Sequence, residues 1–230
     1  MDLPKTTLFM LSSLDGKIST GSTDNLDVDT DFPTIPGIKE GLYQYYDIEK
    51  TTDLCSLNSG KVQAKIGANK PKKDIAKLPV DFVIIDNHPH LNKTGVQNFL
   101  KKSRRLFIVT TNKKHPAFLQ TDATNLEIVY CKKKIDFTDL FCRLKKDFGI
   151  KRITVQTGGT LNAVLLREKL IDRISIVVAP VLIGGKNTAS LIDGPSLTSV
   201  RELSHIKALE LVSIKKLKHS YIHLTYSIIK

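Results

Sequence analysis

Apolar residues along this chain fall into short runs separated by amphipathic stretches, and that alternation predicts strands and helices in turn. Residues 6–11 form a compact apolar run ahead of the turn pair Asp15-Gly16, which predicts a buried first strand. Residues 21–37, rich in Gly, Ser, Thr, Asp and Pro, predict an exposed loop. Ile38, Leu42, Tyr45, Tyr46 and Ile48 then recur at mostly helical spacing and predict a helix over 38–50. Further strands are predicted at 53–57, 81–86, 105–110, 126–130, 152–156 and 172–180. Helices are predicted from Asn58-Ser59-Gly60 to Ile66-Gly67, and over 94–102, 137–148 and 160–169. Such alternation predicts an α/β fold with a mostly parallel central sheet flanked by helices. The end differs, because residues 209–217 and 220–229, joined by the polar Lys218-His219, predict a C-terminal antiparallel hairpin. With no Pro/Gly/Ser-rich linker and no internal repeat, a single domain over 1–230 is expected.

Composition narrows the class. A 230-residue chain with 41% hydrophobic residues can bury a sizeable core and is neither disordered nor collagen-like. Cys55, Cys131 and Cys142 are odd in number and lack CxxC spacing, so neither a disulfide framework nor a metal site is expected, and a reducing, cytoplasmic setting follows. The N-terminus has no basic stretch followed by an apolar one, so no signal peptide is expected. The longest apolar run, 174–183, is interrupted by Ser175 and Pro180, so no membrane partner is expected. The net charge of +12 is spread over short clusters such as Lys101-Lys102 with Arg104-Arg105 and Lys132-Lys133-Lys134. That scatter predicts solvated surface and no nucleic-acid partner, while leaving a phosphorylated small ligand compatible.

Ligands of open α/β sheets bind beyond the carboxyl ends of the strands, where helix N-termini point free N–H groups outward. Three segments fit that description: Leu14-Asp15-Gly16-Lys17, Asn58-Ser59-Gly60-Lys61 and Thr157-Gly158-Gly159-Thr160. They are expected to converge on one cleft. Two glycines between an apolar strand and an amphipathic helix would let a pyrophosphate approach the backbone closely, although a merely tight turn explains them too. The sequence is not GxGxxG, so a standard Rossmann site is not expected.

Ser13-Leu14-Asp15-Gly16-Lys17-Ile18, Gln156-Thr157-Gly158-Gly159-Thr160-Leu161-Asn162 and Ala179-Pro180-Val181-Leu182-Ile183-Gly184-Gly185, taken together and in this order, resemble the reductase domain of riboflavin biosynthesis. The resemblance implies a dihydrofolate-reductase-like fold and use of NADPH. It also implies reduction of the ribosylamino side chain of a pyrimidine 5′-phosphate to a ribitylamino one. By matching position it implies Lys17 as the catalytic residue and Asp24 and Asn25 as substrate-loop residues. Thr157, Gly158, Gly159, Thr160 and Leu161 would meet the cofactor's phosphates. Thr110 and Thr111 would hold its adenosine end, with Lys113 or Lys114 at a 2′-phosphate. Relatives in the family are often homodimers, and the exposed end of a mixed sheet could pair that way.

This chain also departs from the family pattern. Gln156 stands where a carboxylate is common, so an amide that cannot donate a catalytic proton would face the substrate. The usual Gly-x-x-Thr-x-x-x-Asp-x-Pro segment, which contacts cofactor and substrate phosphate, is replaced by 58–67, placing Asn58 and Ser59 at its start. Lys61 and Lys65, four apart on one helical face, could replace a phosphate-binding Arg. No zinc-deaminase signature is present, so the preceding deamination is not expected of this chain. Two alternatives stay open: a dihydrofolate-reductase-like oxidoreductase acting on another pterin or pyrimidine, and a nucleotide-binding relative without turnover.

Overall fold

The structure, a computed structural model, describes residues 2–229; Met1 and Lys230, the two ends of the expected single domain, lie outside the described residues. Nine strands run in chain order as β1 (Lys5–Ser12), β2 (Cys55–Ser59), β3 (Asp81–Ile85), β4 (Arg105–Thr110), β5 (Leu126–Tyr130), β6 (Arg152–Gln156), β7 (Arg173–Val178), β8 (Leu209–Lys216) and β9 (Ile222–Ile228) among the described residues. The α-helices are α1 (Val28–Asp31), α2 (Tyr43–Glu49), α3 (Gly60–Lys65), α4 (Lys93–Lys102), α5 (Phe137–Lys146) and α6 (Gly159–Arg167). The chain divides into two compact units, one of Asp53–Thr157 with the segment ending at Pro4, the other of Lys5–Thr52 with Gly158–Lys230.

In the first unit the strands are all parallel, in the order β5-β4-β3-β2-β6. β3 and β4 are buried along nearly their whole length, which is why they read as unbroken apolar runs without alternation. α4 seats Val96 and Phe99 against Phe82, Ile84, Leu106 and Ile108. Side chains cap the helix starts, with Asn92 accepting from Gly95 N at 2.9 Å and Asp136 from Asp139 N at 2.9 Å. Several basic clusters then acquire structural reasons. Lys101 and Lys102 close α4, and Arg143, Lys145 and Lys146 close α5, each at the negative end of a helix dipole. Arg104 and Arg105 are not merely solvated surface, since both grip the buried Asp81 carboxylate, at 2.6–3.1 Å.

The second unit orders its strands β1-β7-β9-β8, with β1 and β7 parallel and β9 antiparallel to both β7 and β8. Its core gathers Phe9, Leu11, Phe32, Tyr45 and Tyr221, with the Phe9 and Tyr45 rings stacked at 5.1 Å. The parallel strands, flanking helices and C-terminal hairpin agree with the fold expected from the sequence.

Three local expectations are corrected. The helix expected over 38–50 begins only at Tyr43, because the Ile38 carbonyl accepts the Tyr221 hydroxyl at 2.8 Å and the Gly41 N–H at 3.2 Å, so residues 35–42 form turns. The loop expected over 21–37 contains α1 and a 3-10 turn, Phe32–Thr34, because Asp27 caps α1 and buries Val28 and Phe32 beneath it. The second strand starts at Cys55 rather than 53, because the Asp53 N–H donates to the Thr154 hydroxyl at 3.1 Å and its carboxylate accepts from Arg152 at 2.6 Å, so side chains rather than a strand ladder hold it.

Candidate functional site

In the second unit β1 runs into a turn, not a helix, so the expectation of a helix N-terminus after Leu14-Asp15-Gly16-Lys17 is corrected. Gly16, at φ +77°, and Gly184, at φ +72°, supply the left-handed backbone this turn and its neighbour need. Asp15 ties them together. Its carboxylate accepts from Ser13 Oγ at 2.5 Å, Ile183 N at 3.1 Å and Gly184 N at 2.6 Å. The Ser13 hydroxyl, opposed by slight desolvation and helped by the two N–H groups, holds the Asp15 carboxyl at about 2.

Lys17 lies in a short antiparallel bridge with Ser190. Its backbone N–H donates to Ser13 Oγ at 2.8 Å and its ammonium to the Thr188 carbonyl at 3.0 Å. Leu191 N donates to Gly16 O at 3.0 Å and Ile18 N to Ala189 O at 3.0 Å. The segment 188–193 therefore joins the Lys17 turn to α6: Asn162 Nδ2 donates to Leu191 O at 2.9 Å, and Asp193 N to Gly159 O at 3.0 Å. Two motifs named from the sequence, 13–18 and 179–185, thus meet the start of α6 through a segment that carried no signal of its own.

At the start of α6 Gly158 is the N-cap and offers no side-chain cap, while Leu161 N and Asn162 N turn back to its carbonyl. A methyl group on Gly159 would stand 2.2 Å from Ser190 O and 2.3 Å from Asp193 Oδ2. The close approach that requires glycine at 159 is thus made by the chain itself, where the sequence suggested a ligand. Asp193 is fixed by Ser190, whose N–H and hydroxyl both donate to Oδ1, at 3.1 and 2.5 Å. Thr160 is exposed, and Asp24 and Asn25 are exposed in the 21–27 stretch.

The first unit repeats the arrangement at α3, whose N-cap Ser59 accepts from Val62 N at 3.3 Å. A methyl group on Gly60 would stand 2.2 Å from Asp86 Cγ. Asp86, fully buried at the end of β3, accepts from His90 N, Leu91 N and the rings of His90 and His115, all within 3.2 Å. Burial pushes its carboxyl up, but the His115, Leu91 and His90 bonds outweigh that and hold it below the ordinary range. Ala117 N donates to His115 Nδ1 at 3.1 Å, which places the ring proton on Nε2, toward Asp86. Asp86 and Asp193, each against the first glycine of a helix, were not anticipated; an acid ending the apolar run of β3 was the only signal for Asp86.

Thr110 is buried, and its hydroxyl donates to Asp86 O at 2.8 Å. Thr111 N donates to Asn87 Oδ1 at 3.0 Å, and Lys113 lies 5.7 Å from the Tyr130 ring centre. Asn58 is buried between Ser56, to which it donates at 2.8 Å, and Gln63, from which it accepts at 2.9 Å. Ser56 in turn donates to Gln156 Oε1 at 2.9 Å, which fixes the nitrogen end of that amide as the donor end. Thr157 is buried, whereas Lys61 is exposed on α3. Ser56, Thr188 and Ser190 are the supporting residues that sequence reasoning missed, while Ser13 was visible only as the first residue of a motif, with no role given to it.

A sequence model of the RibD C-terminal domain family matches residues 4–222. The 2,5-diamino-6-ribosylamino-4(3H)-pyrimidinone 5′-phosphate reductase of Aquifex aeolicus is 30% identical over 80 residues, 35% of each chain. The riboflavin biosynthesis protein RibD of Actinobacillus pleuropneumoniae is 21% identical over 201 residues, covering 84% of this chain and 50% of that one. The matches span only about a third of the length of the first curated relatives. Among solved structures, RibD of Acinetobacter baumannii superposes with a TM-score of 0.69 at 17% identity, covering 100% of this chain and 59% of that one. A pyrimidine reductase-like protein of Corynebacterium diphtheriae gives 0.65 at 12%, covering 99% and 92%. At these identities the structural likeness establishes the fold.

Proposed function

This chain belongs to the RibD C-terminal domain family, and we propose from that membership that it is a nicotinamide-dependent reductase of a ribosylamino-pyrimidine 5′-phosphate, yielding the ribitylamino product. The observation that carries the reading is the family match over 4–222. The likeness to curated proteins named as pyrimidinone phosphate reductases supports it. The proposal includes NADPH as cofactor, a cytoplasmic setting, one reductase domain and a homodimer. Among the described residues no helix is long and apolar enough to cross a membrane.

The cofactor, when bound, supplies a hydride to C1′ of the sugar in its open-chain form. The donor set at the start of α6 suits a phosphate only in part. Gly158 and Thr160 present first-turn backbone with no side-chain cap, but the Gly159 side is taken by the Asp193 carboxylate. Lys17, steadied by Thr188, would hold positive charge at the reacting sugar and protonate it as hydride arrives. In the first unit the exposed Lys61 and Lys113 and the half-buried Thr111 are the proposed ligand contacts. Thr110, Asn58 and Ser59 would act there through the loops they brace. Gln156, oriented by Ser56, would donate a hydrogen bond to the substrate. The neutral amide, where the family resemblance implies a carboxylate, favours as a second reading a different pyrimidine or a pterin as substrate.

The test is nicotinamide oxidation with the diamino-pyrimidinone and the deaminated uracil 5′-phosphates, using NADPH and NADH in parallel, with the ribitylamino product identified by mass. Oxidation only with another pyrimidine or pterin would favour the second reading, and cofactor binding without any turnover would defeat both.

A further inference from the structure

Asp86 and His115, both buried in the first unit, form a pair that the proposed chemistry does not use. Burying such a pair gains little stability over apolar side chains of the same size, so what it contributes is a fixed geometry. The geometry fixed here is that of the loop after β4. Thr110 donates its hydroxyl to Asp86 O at 2.8 Å and His115 its Nε2–H to Asp86 Oδ2 at 3.0 Å, so both ends of the stretch 110–115 close on one residue. Between them the chain folds on itself: Asn112 N donates to Thr110 Oγ1 at 3.1 Å, Lys114 N to Asn112 Oδ1 at 2.8 Å and His115 N to Asn112 O at 3.2 Å. Asn87 Oδ1 braces the loop from outside, accepting from Thr111 N at 3.0 Å. Lys113 and Lys114 stand exposed at its tip.

We propose, resting on the reductase reading above, that His115 is a positioning residue: anchored on Asp86, it holds Lys113 where the adenosine 2′-phosphate of the cofactor binds, and so sets the preference for NADPH over NADH.

Asp86 is a firm anchor. Its carboxylate is held in place by the N–H groups of His90 and Leu91 and by the His90 ring, and it lies against Gly60, where a methyl group would stand within 2.5 Å of Cγ and both oxygens. The side chains of Asp86 and His115 are fully buried and touch no nucleotide themselves, so their effect on binding passes through the loop. The two nitrogens of His115 have separate tasks. Nδ1 accepts from Ala117 N at 3.1 Å and caps the 3-10 turn Pro116–Leu119, whereas Nε2 makes the link to Asp86. An asparagine reproduces the first bond and a glutamine the second, so the two substitutions separate local capping from the anchor. A lysine that is ordered only when its ligand arrives loses affinity for the group it meets and for no other. Only the nucleotide carrying a 2′-phosphate meets Lys113 in this way, so loosening the loop penalises NADPH and spares NADH.

Calorimetric titration of the full chain with NADPH and with NADH tests this, on the wild type, His115→Asn, His115→Gln, Lys113→Ala and the double variant of His115→Asn with Lys113→Ala. The wild type should bind NADPH at least about 10-fold more tightly than NADH. His115→Asn should lose about 10-fold in NADPH affinity with NADH affinity unchanged, and in turnover its KM for NADPH should rise by as much while kcat holds. His115→Gln should keep the preference. The double variant should bind NADPH no more weakly than Lys113→Ala alone, because both changes remove the same contact. If circular dichroism shows His115→Asn unfolded, Asn87→Ala, which removes the partly exposed brace on Thr111, takes its place with the same expected split. A wild type without preference, equal losses for both nucleotides, no loss, or a preference kept by asparagine and lost by glutamine would each overturn the role of His115 while leaving the reductase reading intact. A wild type that binds neither nucleotide would overturn both.

Discussion

Gly159→Ala distinguishes the two reasons a glycine could stand at the start of α6. If the position serves only the approach of a ligand, alanine should stabilise the empty protein, since it is the better helix former by about 0.5–1 kcal/mol. The structure reverses that sign. The added methyl group would lie 2.2 Å from the Ser190 carbonyl, a backbone atom, and 2.3 Å from Asp193 Oδ2, whereas real side chains stay beyond 3.0 Å. Ser190 cannot retreat freely, because its bridge to Lys17 and its bonds to Asp193 tie it to the Lys17 turn. Because one of the two crowded atoms is backbone, the cost falls in the upper part of the overpacking range, about 2–3 kcal/mol, leaving a net loss of about 1–2.5 kcal/mol after the helix gain. For a chain of this size that corresponds to a fall in melting temperature of about 2–10 °C. Thermal and urea unfolding of the protein without nucleotide measure it. An unchanged or raised melting temperature would show that Ser190 and Asp193 do not crowd Gly159, and the reading of this turn as self-packed would be wrong.

Other perturbations probe the rest of the site. Lys17→Ala should lower turnover about 10²–10⁴-fold with NADPH affinity unchanged, and undiminished steady-state rates would remove Lys17 from the chemistry. Asp86→Asn, nearly isosteric, turns an NH₂ toward a set of donors and should cost about 1.5–3 kcal/mol in urea unfolding; a smaller loss would mean that the Asp86 bonds are weak. For Asp15 the folded value, held at about 2 by Ser13 and the Ile183 and Gly184 N–H groups, lies below the unfolded value of about 3.9. Its stabilisation is therefore fully present above pH ~4 and is lost as pH falls toward 2. Asp15→Asn should flatten the acid limb of the denaturation midpoint between those values, and a limb identical to wild type would refute the assignment.

Much of the architecture was legible in the sequence. The bounds of β4, β5 and β6 agree with expectation because each is a short apolar run closed by polar residues; β4 and β6 are parallel strands buried on both faces, which leaves that signature, whereas β5, at the end of the strand order, buries only Val129 fully. The motif residues 13–18, the glycines at 158–159 and the 179–185 run were also visible, because turns with positive φ and helix starts demand particular residue types at fixed local spacing. The family resemblance these motifs carry was equally open to reading before any coordinates.

What the residues near those glycines do was decided only by tertiary structure. Asp86 and Asp193 are single acids far along the chain from Gly60 and Gly159, and no local pattern announces that each will press against the first residue of a helix. The stretch at 38–42 has helical spacing yet is bent into turns, because a hydroxyl from Tyr221, distant in sequence, binds the Ile38 carbonyl. In β8 apolar residues announce a strand, but whether they are covered depends on what packs over the sheet, and there they stay exposed. Local spacing encodes backbone conformation, which is settled within a few residues; burial and hydrogen-bond partnership depend on contacts between distant segments, and those exist only once the chain has folded.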